Sequence, residues 1–331
     1  MTRKTKDYLL FGTIIFLVLA LSVSVFGFVV RTNDLNDAKA KIKENQSAYA
    51  EEKAGLEERI KQAEDAKAAT ESELNTTKQQ KESLESENSR LKKEITELKT
   101  KKAAVAKYLN KTAVAQNPQP TGKVCYLTFD DGPSANTLKI LEILARYNAK
   151  ATFFVVNNAQ TKIEYVPQIH AAGHTIGLHS SSHNYGQIYQ STDSYFADLN
   201  ALSAKVKELT GVESKVIRFP GGSSNSVSRR YCSGIMTALS HMVTEKGYTY
   251  FDWNVSSEDA SAARVSASKI TSSVLQGARN KNSICVLMHD AAGKTTTVDA
   301  LPAIIEGLIV QGFSFAPLTA ESYGYHHGIN N

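Results

Sequence analysis

Cysteine is scarce in this chain. Its 331 residues hold three, Cys125, Cys232 and Cys285, too few for a disulfide framework. Cys125 and Cys285 fall inside strand-like apolar runs and Cys232 opens a helical one, so all three are expected as buried free thiols that pack as small hydrophobes. A Cys125–Cys285 bridge is the alternative if their strands are neighbours. Proline is missing from residues 31–109, so no proline breaks a helix there. Charge is missing from residues 8–30. A concentrated basic patch is missing as well. The net charge is +5, yet acidic and basic residues are mixed throughout, and no nucleic-acid partner is expected. A basic balance outside the cell also suits an anionic wall.

The uncharged run at 8–30 is 23 residues long, enough to cross a hydrocarbon core of about 30 Å as a helix. Arg3, Lys4 and Lys6 precede it and favour a cytoplasmic N-terminus. The run is too long for a signal-peptide core and no clear small-x-small cleavage site follows. Residues 1–30 are therefore expected to be a cytoplasmic tail and a transmembrane signal anchor, with a cleaved signal the alternative. The expected location is the cell membrane, single-pass, with the remainder of the chain extracytoplasmic.

Residues 31–110 carry one heptad register. Its d positions are Leu35, Ile42, Tyr49, Leu56, Ala63, Thr70, Thr77, Leu84, Leu91, Leu98 and Val105. The a positions are poorer: Ile60, Leu74, Ile95 and Leu109 alternate with Lys39, Lys53, Lys67, Lys81 and Lys102, and Asn88 also sits at a. The pattern predicts a helical coiled-coil stalk, on the order of 110 Å long at 1.5 Å per residue, and a homodimer through it. A solvated single helix or partly disordered stalk is the alternative. Residues 111–122, with Asn117-Pro118-Gln119-Pro120, read as a linker.

From 123 to 320 apolar strands alternate with helices, and 321–331 read as a C-terminal tail. Strand-like runs fall at 124–130, 151–156, 175–179, 216–220, 249–255, 283–288 and 313–318. Helical segments between them include 136–147, 193–210, 235–246, 263–279 and 296–311. This alternation predicts an α/β fold on a parallel sheet, open or closed into a barrel.

Acidic and histidine residues sit where these strands end. Thr128-Phe129-Asp130-Asp131-Gly132 closes the first, His179-Ser180-Ser181-Ser182-His183 the third, and Leu287-Met288-His289-Asp290 the sixth. Carboxyl ends of parallel strands share one mouth, so these groups can meet. One carboxylate and two imidazoles suit a divalent metal, leaving a second carboxylate and a third histidine to move protons, the kit for metal-assisted hydrolysis. Asp-Asp-Gly-Pro is equally a turn sequence. The i, i+4 histidines alone are a weak signal, strengthened by their strand-end position. His174 reads as a turn or supporting residue and His170 as a solvated helix end. Gly293-Lys294-Thr295 only superficially resembles a phosphate loop, because the first glycine of that pattern would fall at Met288.

Together these segments resemble, in order and spacing across about 122–320, the polysaccharide deacetylases with a NodB homology domain (carbohydrate esterase family 4). Arg218-Phe219-Pro220-Gly221 supplies the family's third motif. The resemblance implies a distorted (β/α)7 barrel with one divalent metal, usually Zn2+. It implies Asp131, His179 and His183 as metal ligands, Asp130 as general base, His289 as general acid, and Arg218 as the residue that orients the base. An N-acetyl amide, with its poor electrophile and poor leaving group, needs such help. Gly221 would supply an oxyanion N–H, with Leu287 and Trp253 at the substrate.

This chain departs from the family pattern twice. Many members carry an aromatic after the motif-three proline, where Gly221-Gly222 stands here. In the fourth motif Ser256 replaces an Asp and Ala260 a Trp, while Asp259 remains to tune His289, with Asp252 its rival. The resemblance implies an N-deacetylase acting on N-acetylglucosamine-type residues, and the separate reading of residues 8–30 makes it membrane-anchored, cell-wall peptidoglycan being the expected polysaccharide. An O-acetyl polysaccharide esterase and a catalytically idle coiled-coil scaffold are the alternatives.

Overall fold

The structure, a computed structural model, describes residues 71–114 and 122–331. The expected membrane span, stalk residues 31–70 and most of the linker lie outside these. Among the described residues no helix is long and apolar enough to cross a membrane. The chain divides into two compact units, 1–103 and 104–331. In the first, the opening turns of α1 (Glu71–Val114) carry Leu84, Asn88, Leu91 and Ile95 half-buried and Leu98 38% exposed.

In the second unit the last turns of α1 place Val105 in the core, with Tyr108 edge-on to Phe315 at 5.8 Å. Then follow β1 (Lys123–Asp130), α2 (Ala135–Arg146), β2 (Ala151–Val156), α3 (Val166–Ala171), β3 (Thr175–Ser180), α4 (Tyr185–Ile188) and α5 (Thr192–Thr210). The rest is β4 (Val216–Ile217), α6 (Ile235–Glu245), β5 (Thr249–Tyr250), β6 (Val255–Ser256), α7 (Ala267–Gly277), β7 (Ser283–His289), α8 (Thr295–Val310) and β8 (Phe313–Phe315). Helix starts follow capping chemistry: Ser134 and Ser191 accept backbone N–H bonds from α2 and α5. Gly211, with φ of 73°, ends α5.

All pairings are parallel, in the order β5-β4-β3-β2-β1-β7-β6, with β8 beside the start of β1. Strand alternation separates two layers. Cys125, Leu127 and Phe129 of β1 and Ile284, Val286 and Met288 of β7 join the helices in the main core. Phe154, Val216, Phe251 and Cys285 fill the inner face. Cys125 and Cys285 thus sit on opposite faces of neighbouring strands, and both thiols are free.

The expected single strand at 249–255 is two short ones at opposite edges of the sheet. Phe251 N donates to Ile217 O of β4 at 3.0 Å, and Asn254 N to Cys285 O of β7 at 3.1 Å. Chain, not a ladder, therefore spans the seam, at most about 10 Å for three residues. The sheet is a curled, incompletely paired barrel of the expected (β/α)7 kind, and it counts eight strands among the described residues because the run at 249–255 is divided in two. Residues 321–331 are packed: Tyr325 is buried, His326 stacks on Tyr250 at 3.9 Å, and the Asn331 side chain accepts from Gly234 N at 2.8 Å ahead of α6.

Candidate active site

The register of β1 on β7 sets Asp130 beside His289. Asp131, one residue past the strand, has φ of 70°, a left-handed conformation that breaks the alternation and brings both carboxylates to the mouth. Gly132 must follow, because a Cβ there would collide with the buried Asp290 carboxyl. That carboxyl accepts from Thr137 Oγ1 on α2.

Asp131 Oδ1 lies 3.5 Å from His179 Nε2 and 3.2 Å from His183 Nε2. One ligand atom from each residue lies within 4.8 Å of the others. His179 Nδ1 is 2.7 Å from Arg218 O. A carbonyl only accepts, so Nδ1 holds the proton and Nε2 turns a lone pair to Asp131. Burial lowers the His179 pKa to about 3, which keeps the ring neutral. Asp131 Oδ1 is itself buried without a hydrogen-bond partner. Two bare acceptors face each other, an arrangement that a cation between them would satisfy. The donor set of one carboxylate and two imidazoles fits zinc.

The loop from β3 to α4 is gathered by Asp198 of α5. Its carboxylate accepts from Ser180 Oγ at 2.7 Å, Ser181 N at 2.6 Å and Ser182 N at 2.8 Å. Ser180 Oγ in turn accepts from His183 N at 2.8 Å. Sequence reasoning missed Asp198. Its signal is an acid within the buried stripe Tyr195, Leu199 and Leu202.

Arg218 is fully buried and all five of its N–H groups are used. Nε donates to Phe251 O at 2.9 Å, Nη1 to Thr128 Oγ1 at 2.7 Å and Asp130 Oδ1 at 2.8 Å, and Nη2 to Asp252 O at 2.9 Å and Cys285 Sγ at 3.4 Å. Phe154 lies under the guanidinium at 4.1 Å. This leaves Asp130 Oδ2 on the triad side, 4.0 Å from His179 Nε2. Burial raises the Asp130 pKa above its ordinary value, against the pull of Arg218 and His289.

His289 Nδ1 meets Asp259 Oδ1 at 2.8 Å, and His289 N donates to Asp259 Oδ2 at 2.8 Å. Thr297 Oγ1 and Lys294 Nζ hold Asp259 from the other side, so Lys294 has a structural task in place of a phosphate. Burial alone would discharge His289, but the hydrogen bond and charge of Asp259, with Asp130 and Asp131 behind it, push its pKa up to about 9. Asp252 is elsewhere. Its carboxylate takes Ser223 N and His327 N, each at 2.8 Å.

Gly221 and Gly222 both have positive φ, 80° and 79°. Trp253 lies against Gly222, and His327 Nε2 contacts Trp253 O at 2.6 Å. Leu287 is half-buried on β7, two residues before His289. The structure thus brings Asp130, Asp131, His179, His183, Arg218, His289 and Asp259 together, with Gly221, Leu287 and Trp253 on the elements beside them. His174 belongs to the far end of the sheet, at the start of β3. It is buried, accepts from Ala151 N at 3.1 Å and packs on Phe153, so it supports the fold and not the site. His170 is exposed in α3. A cavity of about 240 Å³ opens beside the triad, lined by Asp131, His183, Val156, Asn158 and Ala291 among others.

Residues 117–234 match the polysaccharide deacetylase family. A peptidoglycan-N-acetylglucosamine deacetylase of Bacillus cereus is 32% identical over 220 residues, covering 65% of this chain and 76% of the relative. The solved catalytic domain of a peptidoglycan N-acetylglucosamine deacetylase from Eubacterium rectale is 43% identical. It superposes with a TM-score of 0.62 and covers 67% of this chain and 100% of its own. A polysaccharide deacetylase structure from Bacillus cereus, 32% identical, gives a TM-score of 0.52 over 61% of this chain and 94% of its own.

Proposed function

The chain belongs to the polysaccharide deacetylase family with a NodB homology domain, and we propose that it is a metal-dependent N-deacetylase of N-acetylglucosamine residues in cell-wall peptidoglycan. The observation that carries this reading is the unpartnered Asp131 carboxylate facing the His179 lone pair, with Asp130 on one side and a charged His289 beside it. The similarity to peptidoglycan N-acetylglucosamine deacetylases supports the substrate.

Asp131, His179 and His183 would hold the cation, which when bound supplies polarisation of the amide carbonyl and acidifies water. Arg218 occupies Asp130 Oδ1 and so presents Oδ2 to take the proton of the attacking water. His289, with Nδ1–H committed to Asp259, carries its transferable proton on Nε2 and gives it to the departing nitrogen. The Gly221 N–H would meet the acetyl oxygen as negative charge develops, and Leu287 and Trp253 would supply apolar walls. The run at 8–30 would anchor the enzyme in the cell membrane, catalytic unit outward. The half-exposed stripe Leu84, Leu91, Ile95 and Leu98 supports pairing of two stalks.

The test is Asp130→Asn. It should retain zinc by elemental analysis yet lose about 10²- to 10⁴-fold in acetyl release from N-acetylglucosamine oligomers, followed by mass spectrometry. Zinc lost from Asp130→Asn but kept by Asp131→Asn would exchange the two roles. An acetylated xylan processed faster than the amide substrate would favour the esterase reading.

A further inference from the structure

The side chain that the third motif lacks at Gly221 is replaced from another element. Tyr185, the first residue of α4, points its hydroxyl at Gly221: a Cβ built there would lie 2.7 Å from the Tyr185 oxygen. A φ of 80° disfavours a side chain at 221 independently. The Tyr185 ring is held on two sides. It stands edge-on to the ligand His183 at 5.8 Å and 75°, and to Tyr189 at 5.5 Å and 77°. Tyr189 is tied down in turn by its hydroxyl, which donates to Pro220 O at 2.7 Å. Ring and backbone are thus fixed against each other on both sides of the Tyr185–Gly221 approach. Among the described residues the Tyr185 hydroxyl has no hydrogen-bond partner, and neither does the Gly221 N–H.

Ordinary bond lengths put the Tyr185 oxygen within about 5 Å of Gly221 N. Two donors that share one carbonyl oxygen at normal hydrogen-bond lengths stand within about 6 Å of each other. The pair meets that condition, and both donors are uncommitted. We propose that Tyr185 is a further catalytic residue, whose hydroxyl donates beside the Gly221 N–H to the acetyl carbonyl oxygen of the substrate as that oxygen takes up negative charge. The proposal rests on the deacetylase reading above. A phenol is a neutral donor to the ground-state carbonyl and a charge-assisted one to the oxyanion, so its effect grows towards the transition state. Loss of one oxyanion donor costs about 10²-fold in kcat.

Tyr185→Phe keeps the ring contacts and removes one oxygen that bonds to nothing in the fold. It should be made in the full-length chain, loaded with zinc, and assayed on an N-acetylglucosamine oligomer. Zinc content and thermal midpoint should match the parent, kcat should fall roughly 30- to 100-fold with KM within about threefold, and inhibition by the product acetate should weaken. A kcat within about twofold of the parent, or a rise in KM alone, overturns the proposal. Loss of zinc also overturns it, since Tyr185 would then act through His183. A parent enzyme that releases no acetate from this substrate removes the deacetylase reading itself, which separates the two failures.

Discussion

His289 owes its charge chiefly to one neighbour, Asp259, and that dependence is measurable. Its folded pKa of about 9 stands above the ordinary 6.5, so the stabilisation from the Asp259 pair is complete below about 6.5 and is withdrawn as pH rises through 9. In zinc-free protein the thermal midpoint should fall by roughly 5 °C across that interval. Asp259→Asn should start lower and run flatter. Parallel curves for the two proteins would mean that the pair does not set the charge of His289. At this scale the sequence was most informative where a residue ends a strand. Asp130, His179 and His289 are placed by strand geometry, which has a period. Choosing Asp259 over Asp252 needed three dimensions, because both are acids near a strand end and only the loop path separates them. Tyr185 gave no signal of its own, since an aromatic two residues after a histidine is ordinary until Gly221 is seen under its hydroxyl.

Among the elements, α1 does more than a spacer requires. Val105 is fully buried in the core of the catalytic unit, although the heptad assigns it to the same seam as Leu84 and Leu91. Val105→Ala should destabilise the catalytic unit by about 2 kcal/mol. A chain beginning at residue 115 should unfold at lower urea than one beginning at 104, and equal midpoints would show that these turns are not part of the folding unit. A regular heptad could not reveal the change of partner, because the same apolar residue suits either. Residues 321–331 were equally silent. Their packing runs through backbone groups and caps, such as His327 N to Asp252 and Gly234 N to Asn331 Oδ1, which leave no periodic trace. Six of the seven strand-like runs and the five helices named with them were legible because burial imposes periods of 2 and 3.6. The run at 249–255 misled because its apolar residues serve two edges in turn.

For the molecule as a whole, the cluster of Asp131, His179 and His183 ties the end of β1 to β3 and its following loop. A cation bound there links segments that only the folded chain brings together. Zinc at about a thousand times its Kd should therefore add about 4 kcal/mol to stability. Chelation should lower the thermal midpoint of the parent by roughly 10 °C and barely move that of His183→Ala. A chelator-insensitive parent would argue against the site. Fold class was readable at this scale from strand–helix alternation, whereas closure was not, since pairing at the edges leaves no mark on hydrophobicity. That unpaired seam between β5 and β6 bears on how such enzymes diversify. Neighbouring strands in a ladder must stand about 4.8 Å apart, and no substitution changes that spacing. Here the separation is set by the Arg218 side chain reaching Phe251 O and Asp252 O, with Trp253 as the facing wall. The width of the mouth is therefore inherited one residue at a time, and a lineage could retune which polymer enters without rebuilding a strand.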